Sequence, residues 1–503
     1  MKKITLLSLL VPFLILGQTQ IGLDIDGEAE ADQSSYSISM SSNGNRIAIG
    51  AVNNDDDGNN FTETGHVRVY ENINNTWTQL GEDLDGAGFP DHFGYSVSLS
   101  ANGNILAVSS DINTFPNSTA DRYKGAVKLY EFNTTTSSWE QFGQEIIGDE
   151  FHDNAGREIE LSSDGYTVAI GADGNDDNGP NSGNVRVYRF NTATNLLEQL
   201  GQDINGEASG NESGANISLS ANGNIIAIAA KENFDNGSRS GQVRLYEFNT
   251  TTNLWVQLGQ DLNGEMADVQ FGIDVGLSSN GLTVAVGALY SEENGIETGN
   301  VRVFEYNGLD TWNQVGNNIF DTNEFFTGFT LSLSGDGSIV AVSNIFNDNN
   351  GNNSGLVRLY KNISGVWTQI GTDINGESAN DNSGTSLSLS EDATTLAIGA
   401  LANDGNGSAS GHVRVFDISA VTLSIEENVL SNFSLYPNPT TNQFTIQLNS
   451  TSILEQVTIY NTLGQMVLTS EEAIVNTSKL ASGSYIVEIT TNTGKASKKL
   501  IIE

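Results

Sequence analysis

The chain has 503 residues, no cysteine, and 62 acidic against 21 basic side chains, a formal charge of −41. Such a charge argues against nucleic acid and anionic lipid as partners, and without cysteine there is neither a disulfide nor a lipoprotein anchor. With 37% hydrophobic residues, 54 glycines and only 17% charged, the composition is that of a turn-rich all-β protein with a sizeable core.

In chain order, Lys2-Lys3, the apolar run Ile4–Leu16 and Gly17-Gln18 predict an export signal over residues 1–17. That run is too short to span a bilayer, and no other stretch approaches the length of a transmembrane helix. A repeat follows. Its core reads Val-Arg-Val-Tyr at Val67–Tyr70, and the first valine returns at 127, 185, 243, 301, 357 and 413, a period of 56 to 60 residues. Periods of this size, with several short strands per unit, belong to propellers and other repeat arrays.

The second unit shows the strands. Gly94–Ser100 alternates apolar and small polar residues, Asn102-Gly103 makes a hairpin turn, and Ile105–Val108 returns. Ala126–Tyr130 and Trp139–Gly143 supply strands three and four. Each unit is thus a four-stranded antiparallel meander, one propeller blade. Strands one to three occur seven times, but no fourth strand follows Phe416. Its copy is Gln18-Thr19-Gln20-Ile21-Gly22, which aligns with Trp367-Thr368-Gln369-Ile370-Gly371. The sequence therefore predicts a seven-bladed β-propeller over residues 18–416, with Gln18–Ile25 closing the last blade. Trp77, Trp139, Trp255, Trp312 and Trp367 recur at one place in strand four, with Leu197 there in the third unit, which suits packing between neighbouring blades better than a ligand platform. The cation of strand three (Arg68, Lys128, Arg186, Arg244, Arg302, Arg358, Arg414) is expected to pair with the acid after strand four, namely Asp24, Asp83, Glu145, Asp203, Asp261 and Asp373.

Departures from the repeat mark the candidate sites. At the axis most units place serine or threonine, but units three to five place Glu158 and Glu160, Asn216, and Asp274. These are candidates for holding a ligand or cation in the channel, or for acid–base chemistry on a glycoside. The loops from strand two to strand three are acidic, with Asp55-Asp56-Asp57 and Asp176-Asp177. Their oxygens are of the kind calcium takes, and they read equally as a solvated face. Calcium is the one cofactor these loops suggest. The four histidines, His66, His92, His152 and His412, form no spaced pair and no metal or triad motif.

The units resemble FG-GAP repeats, the propeller repeats of integrin α-chains, through Phe93-Gly94 and Phe271-Gly272 and through Ile49-Gly50-Ala51 and Val286-Gly287-Ala288. The integrin calcium loop is replaced by a two-residue hairpin, so its sites do not carry over. Residues 417–432 read as a linker. Beyond them Phe433-Ser434-Leu435-Tyr436-Pro437-Asn438-Pro439-Thr440, Tyr460–Gln465, Leu480–Tyr485 and Lys498-Lys499-Leu500 resemble the type A C-terminal sorting domain of the type IX secretion system of Bacteroidetes, here a small β-sandwich over 433–503. That resemblance implies export, with the secretion machinery as partner, removal of this domain, and release or surface attachment. The expectation is a secreted or cell-surface binding or adhesion propeller, its ligand a glycan, a protein or the cell's own matrix. A polysaccharide-active enzyme using the channel carboxylates and a structural coat component are the rival readings.

Overall fold

The computed structural model describes residues 17–55, 64–87, 91–111, 123–293, 295–321, 326–422, 433–448, 454–461, 466–491 and 494–502. The export signal, apart from its last residue, lies outside them. They fall into two compact units, one running to Thr422 and the other holding the C-terminal residues.

In the first unit seven antiparallel sheets follow one another, each four strands across, with the outer strand split into two segments in blades 1, 3, 4 and 7. Blade 1 spans Ser34–Gln79, blade 2 Phe93–Ile147, blade 3 Ile159–Gln199, blade 4 Asn216–Gln257, blade 5 Phe271–Gln314 and blade 6 Leu331–Asn375. Blade 7 takes three strands from Ser383–Asp417 and its outer strand from Thr19–Gln20, with Thr19 opposite Asp417 and Gln20 opposite Phe416. Ile25 continues that pairing opposite Val413. The ring also closes at the hairpin end of the axis. There the backbone N–H of Ser42 donates to Ala101, Ala101 to Ser163, Ser163 to Ala221, Ala221 to Ser279, Ser279 to Gly335, Gly335 to Glu391, and Glu391 back to Ser42, at 2.8–3.1 Å. Seven donors and seven acceptors satisfy one another in a circle, which fixes the blade count.

The repeated residues explain how blades abut. Each of the five tryptophans donates its indole N–H to a carbonyl of the preceding blade, as Trp139 does to Leu80 at 2.9 Å and Trp255 to Leu200 at 2.7 Å. The ring lies on the glycine that ends the preceding fourth strand. A Cβ on Gly201 would come within 2.8 Å of Trp255, and this glycine has φ +79. Gln18, which replaces tryptophan in the closing strand, sits over Gly371 in the same way and bonds the Thr372 carbonyl at 2.9 Å. Near the axis a second glycine pair does the same for the inner strands. Gly94 bulges with φ +92, and a Cβ on Gly50 would strike its carbonyl oxygen at 2.1 Å. Those are the two glycines by which the units resemble FG-GAP repeats.

The strand-three cation behaves differently from expectation in four blades. Lys128, Arg186 and Arg358 do reach Glu145, Asp203 and Asp373. Arg68, Arg244, Arg302 and Arg414 instead meet Glu28, Glu207, Glu265 and Glu377 of the preceding blade at 2.9–3.6 Å. The strand-four glutamine does not decide this, since Gln199 and Gln369 donate to Asp203 and Asp373 in blades whose arginine still reaches the acid. The four arginines that cross over have a glutamate of the preceding blade to meet, whereas Arg186 and Arg358 have the shorter Asp149 and Asp321 there and hold both acids. In blade 5 the position after strand four is Asn318, so Arg302 has no acid there in its own blade to pair with.

Residues 417–422 are not linker. Asp417 ends the third strand of blade 7, and the turn Ser419–Thr422 buries Val421 in the propeller core. In the second unit a three-stranded sheet (Ser434–Tyr436, Gln443–Gln447, Ile474–Asn476) and a four-stranded one (Leu454–Tyr460, Met466–Ser470, Gly483–Thr491, Gly494–Ile502) share a core of Phe433, Phe444, Val457, Ile459, Val487 and Leu500. Its signature residues hold its last strand. Asn438 donates to the Lys499 carbonyl at 2.8 Å and accepts from the Ile501 N–H at 2.9 Å.

Candidate functional site

The axis encloses a channel of about 490 Å³, and all four candidate residues of the inner strands line it. The serines and threonines beside them are stitches between blades. Ser39 accepts the Leu99 N–H of the next blade, Ser98 that of Leu161, Ser218 that of Leu277, Ser332 that of Leu389, and Ser388 that of Met40. Ser37, Thr330 and Ser386 donate to next-blade carbonyls one step higher.

The departures keep or drop this role one by one. Asn216 donates to the Ile273 carbonyl at 2.7 Å, and Asp274 accepts the Leu331 N–H at 2.7 Å, so both still stitch. Glu158 accepts the Ser96 hydroxyl at 3.1 Å. Among the described residues Glu160 makes no hydrogen bond. Glu160 stands where a serine would otherwise bond blade 4. Burial pushes Glu158 and Glu160 up to about 8 and Asp274 up to about 7, and repulsion from Asp274 adds to the shift of both glutamates. Near neutral pH these groups are poised between acid and base.

The two ends of the channel differ. At the hairpin end, inside the backbone circle, the Glu391 carboxylate accepts from Ser42 at 2.7 Å and from Ser279, reaching from blade 7 to blades 1 and 5. At the loop end the residue before each first-strand wall position faces the opening, and here sequence reasoning missed the chemistry. Tyr36, Tyr95, Arg157 and Phe329 line it together with Lys231. Tyr36 and Tyr95 lie with ring centroids 5.0 Å apart, and the Arg157 guanidinium sits 5.1 Å from the Tyr95 centroid. Seven-way alignment would have flagged the column, because it reads Tyr, Tyr, Arg, Ala, Ile, Phe, Thr directly after a column that is glycine in six of the seven units.

The acidic loops are not brought into this channel. Asp176 accepts the Asn181 N–H at 2.8 Å and shapes its own turn, Asp177 is exposed beside it, and Asp55 is half-buried at the start of its loop. Asp56 and Asp57 lie outside the described residues. Three clusters bring carboxylate or imidazole atoms within 4.8 Å of one another among the described residues: Asp24, Asp26, His412; Glu28, His66, Asp83; and Glu207, Asp235, Asp261. None is in the channel, and two contain a histidine.

Residues 434–503 match the model of a secretion system C-terminal sorting domain. This is an exported β-propeller. It is a secreted or cell-surface protein whose sorting domain makes the type IX secretion machinery its partner. No helix among the described residues is long and apolar enough to cross a membrane. The chain is 37% identical over 93 residues to an ulvan lyase of Nonlabens ulvanivorans, an alignment that covers 17% of each chain. Similar solved structures include a putative 6-phosphogluconolactonase from Bacteroides uniformis (11% identity, TM-score 0.47, 86% of this chain and 97% of that one). A periplasmic gluconolactonase from Pseudomonas aeruginosa (16%, 0.44, 68% and 85%) and the Dos1 propeller (13%, 0.44, 80% and 96%) are also similar.

Proposed function

We propose that the protein is an exported binding module that takes the end or a branch of a glycan into the loop-end mouth of its axial channel. The observation that carries this reading is the clustering of departures from the repeat. The Tyr36 and Tyr95 rings, the Arg157 cation and the carboxyls of Glu158, Glu160 and Asp274 all line one cavity. Rings offer a face to the C–H side of a sugar, while carboxyls and the Asn216 amide suit its hydroxyls. The volume also falls in the range of roughly 300–1,000 Å³ typical of ligand pockets. A glycan array probed with the secreted protein tests it. Binding to a defined glycan that Tyr95→Ala and Glu160→Gln each weaken at least about tenfold, or 1.4 kcal/mol, is the expected result. Binding untouched by both variants defeats it.

The second reading, a polysaccharide-active enzyme, is favoured by the near-neutral Glu158 and Glu160, which suit general acid and base roles. The ulvan lyase match gives a substrate to try. New chain ends released from ulvan by wild type, and lost in Glu158→Gln, would move the protein to that class.

A further inference from the structure

His66 and His412 occupy the same station, the first residue of the third strand, in blades 1 and 7. Those blades are neighbours only because the ring closes, and the closing segment Asp24–Glu28 runs between them. His66 is 1% exposed, and its Nδ1 is buried without a hydrogen-bond partner. It faces Glu28 Oε2 at 3.8 Å and Asp83 Oδ2 at 4.0 Å, too far for hydrogen bonds.

Both carboxylates have their other oxygen engaged. Glu28 Oε1 is 3.2 Å from Arg68, and Asp83 Oδ1 accepts from Gln79. Each is therefore held with one oxygen turned toward the imidazole. In blade 4 Gln242 takes the histidine's place, and its amide donates to Glu207, the counterpart of Glu28, at 3.1 Å and to Asp235 of the loop before the third strand at 3.0 Å. Blade 1 has an imidazole nitrogen in place of that amide donor, facing Glu28 and Asp83.

We propose that Glu28, His66 and Asp83 bind a divalent transition metal of the zinc class, which fastens the N-terminal closing segment to blade 1. The three ligand atoms lie within 4.8 Å of one another, and a shift of a few tenths of an ångström or more would bring them to about 2.0–2.2 Å from a shared ion, with a fourth position for water. Imidazole with carboxylate selects zinc-like ions, whereas calcium takes six to eight oxygens. The ion joins the segment completing blade 7 to the blade beside it, at the one seam made from the two ends of the propeller chain. Asp24, Asp26 and His412 repeat the arrangement in blade 7, with Nδ1 3.8 Å from Asp24. The orphaned buried nitrogen singles out His66.

Cobalt titration of the secreted protein after chelator dialysis tests the site, because tetrahedral cobalt absorbs visibly. Wild type and His412→Gln are expected to develop the cobalt band, and zinc to raise their melting temperature. His66→Gln, which copies the glutamine of blade 4, loses the band and the zinc-dependent rise while keeping its far-ultraviolet circular dichroism. A wild type without a band, or a band unchanged in His66→Gln, overturns the proposal. If His66→Gln fails to fold, Asp83→Asn replaces it, and unaltered cobalt affinity there overturns the proposal equally.

Discussion

Blades 1, 2, 6 and 7 line the axis with serine and threonine, and blades 3, 4 and 5 place there Glu158, Glu160, Asn216 and Asp274. In the first group the wall side chains are uncharged and bond the next blade, Ser96 alone among them reaching a carboxylate, that of Glu158. In the second group charge enters a wall that burial makes costly for it. Asp274 offsets part of that cost by accepting two backbone N–H groups, from Val275 and Leu331, whereas Glu160 offsets none through hydrogen bonds among the described residues. A repeat protein has a spare copy of every structural solution. A position that forgoes the available solution, beside five blades that show it, is therefore a better pointer to function than any single motif.

The harshest way to break this comparison is to remove the closure on which both groups depend. Deleting residues 18–26 takes away the outer strand of blade 7, the Ile21 N–H bond to Val415 at 2.7 Å and the buried Ile25. It also exposes the third strand of that blade as a bare edge. The expected outcome is the largest of all: loss of cooperative thermal unfolding, or a melting temperature below that of any single variant. Circular dichroism and limited proteolysis check it, and a melt within error of wild type would refute closure by this segment.

Much of this was legible in the residues. The Val-Arg-Val-Tyr core, repeated seven times with conservative changes, and the displaced Gln18–Gly22 strand gave the ring, because a period and a missing copy are arithmetic. The channel carboxylates were legible for the same reason. What was not legible depended on closure or on competition. His66 and His412 are remote in sequence and meet the same segment only in the ring. The arginine partners were misassigned because Glu28, Glu207, Glu265 and Glu377 lie in the preceding blade and come within reach only once neighbouring blades pack. The Tyr36 and Tyr95 mouth needed knowledge of which end of the first strand opens outward.

A milder test sharpens the contrast between the two groups by pH. Glu158 and Glu160 rise to about 8 from an ordinary 4.5, and Asp274 to about 7 from 3.8. The folded state thus holds protons that the unfolded chain releases. Their contribution to stability is fully present below the unfolded values and is lost as pH rises through the folded ones. The melting temperature of wild type should fall from about pH 5 to about 8 on this account, and Glu158→Gln with Glu160→Gln should flatten that fall. A slope unchanged by the double variant would place the titrating groups elsewhere.

The smallest effect is the most discriminating, because it exchanges one solution for the other. Ser98→Ala strands the buried Leu161 N–H that now bonds Ser98 at 2.9 Å, at a cost of about 1–3 kcal/mol in urea unfolding. Glu160→Ser runs the exchange in reverse. It installs in blade 3 the residue whose equivalents in five other blades accept the corresponding N–H, here that of Leu219. It also removes a half-buried carboxyl that makes no hydrogen bond among the described residues. A gain of about 0.5–1.5 kcal/mol from the new bond is expected at neutral pH, together with weaker glycan binding. Stability and binding would then move in opposite directions at one position, as they should if Glu160 is kept for a ligand at the expense of the wall. Loss of stability in Glu160→Ser would instead make the glutamate a wall residue like its neighbours, and would leave Tyr36, Tyr95 and Arg157 to account for the mouth without it.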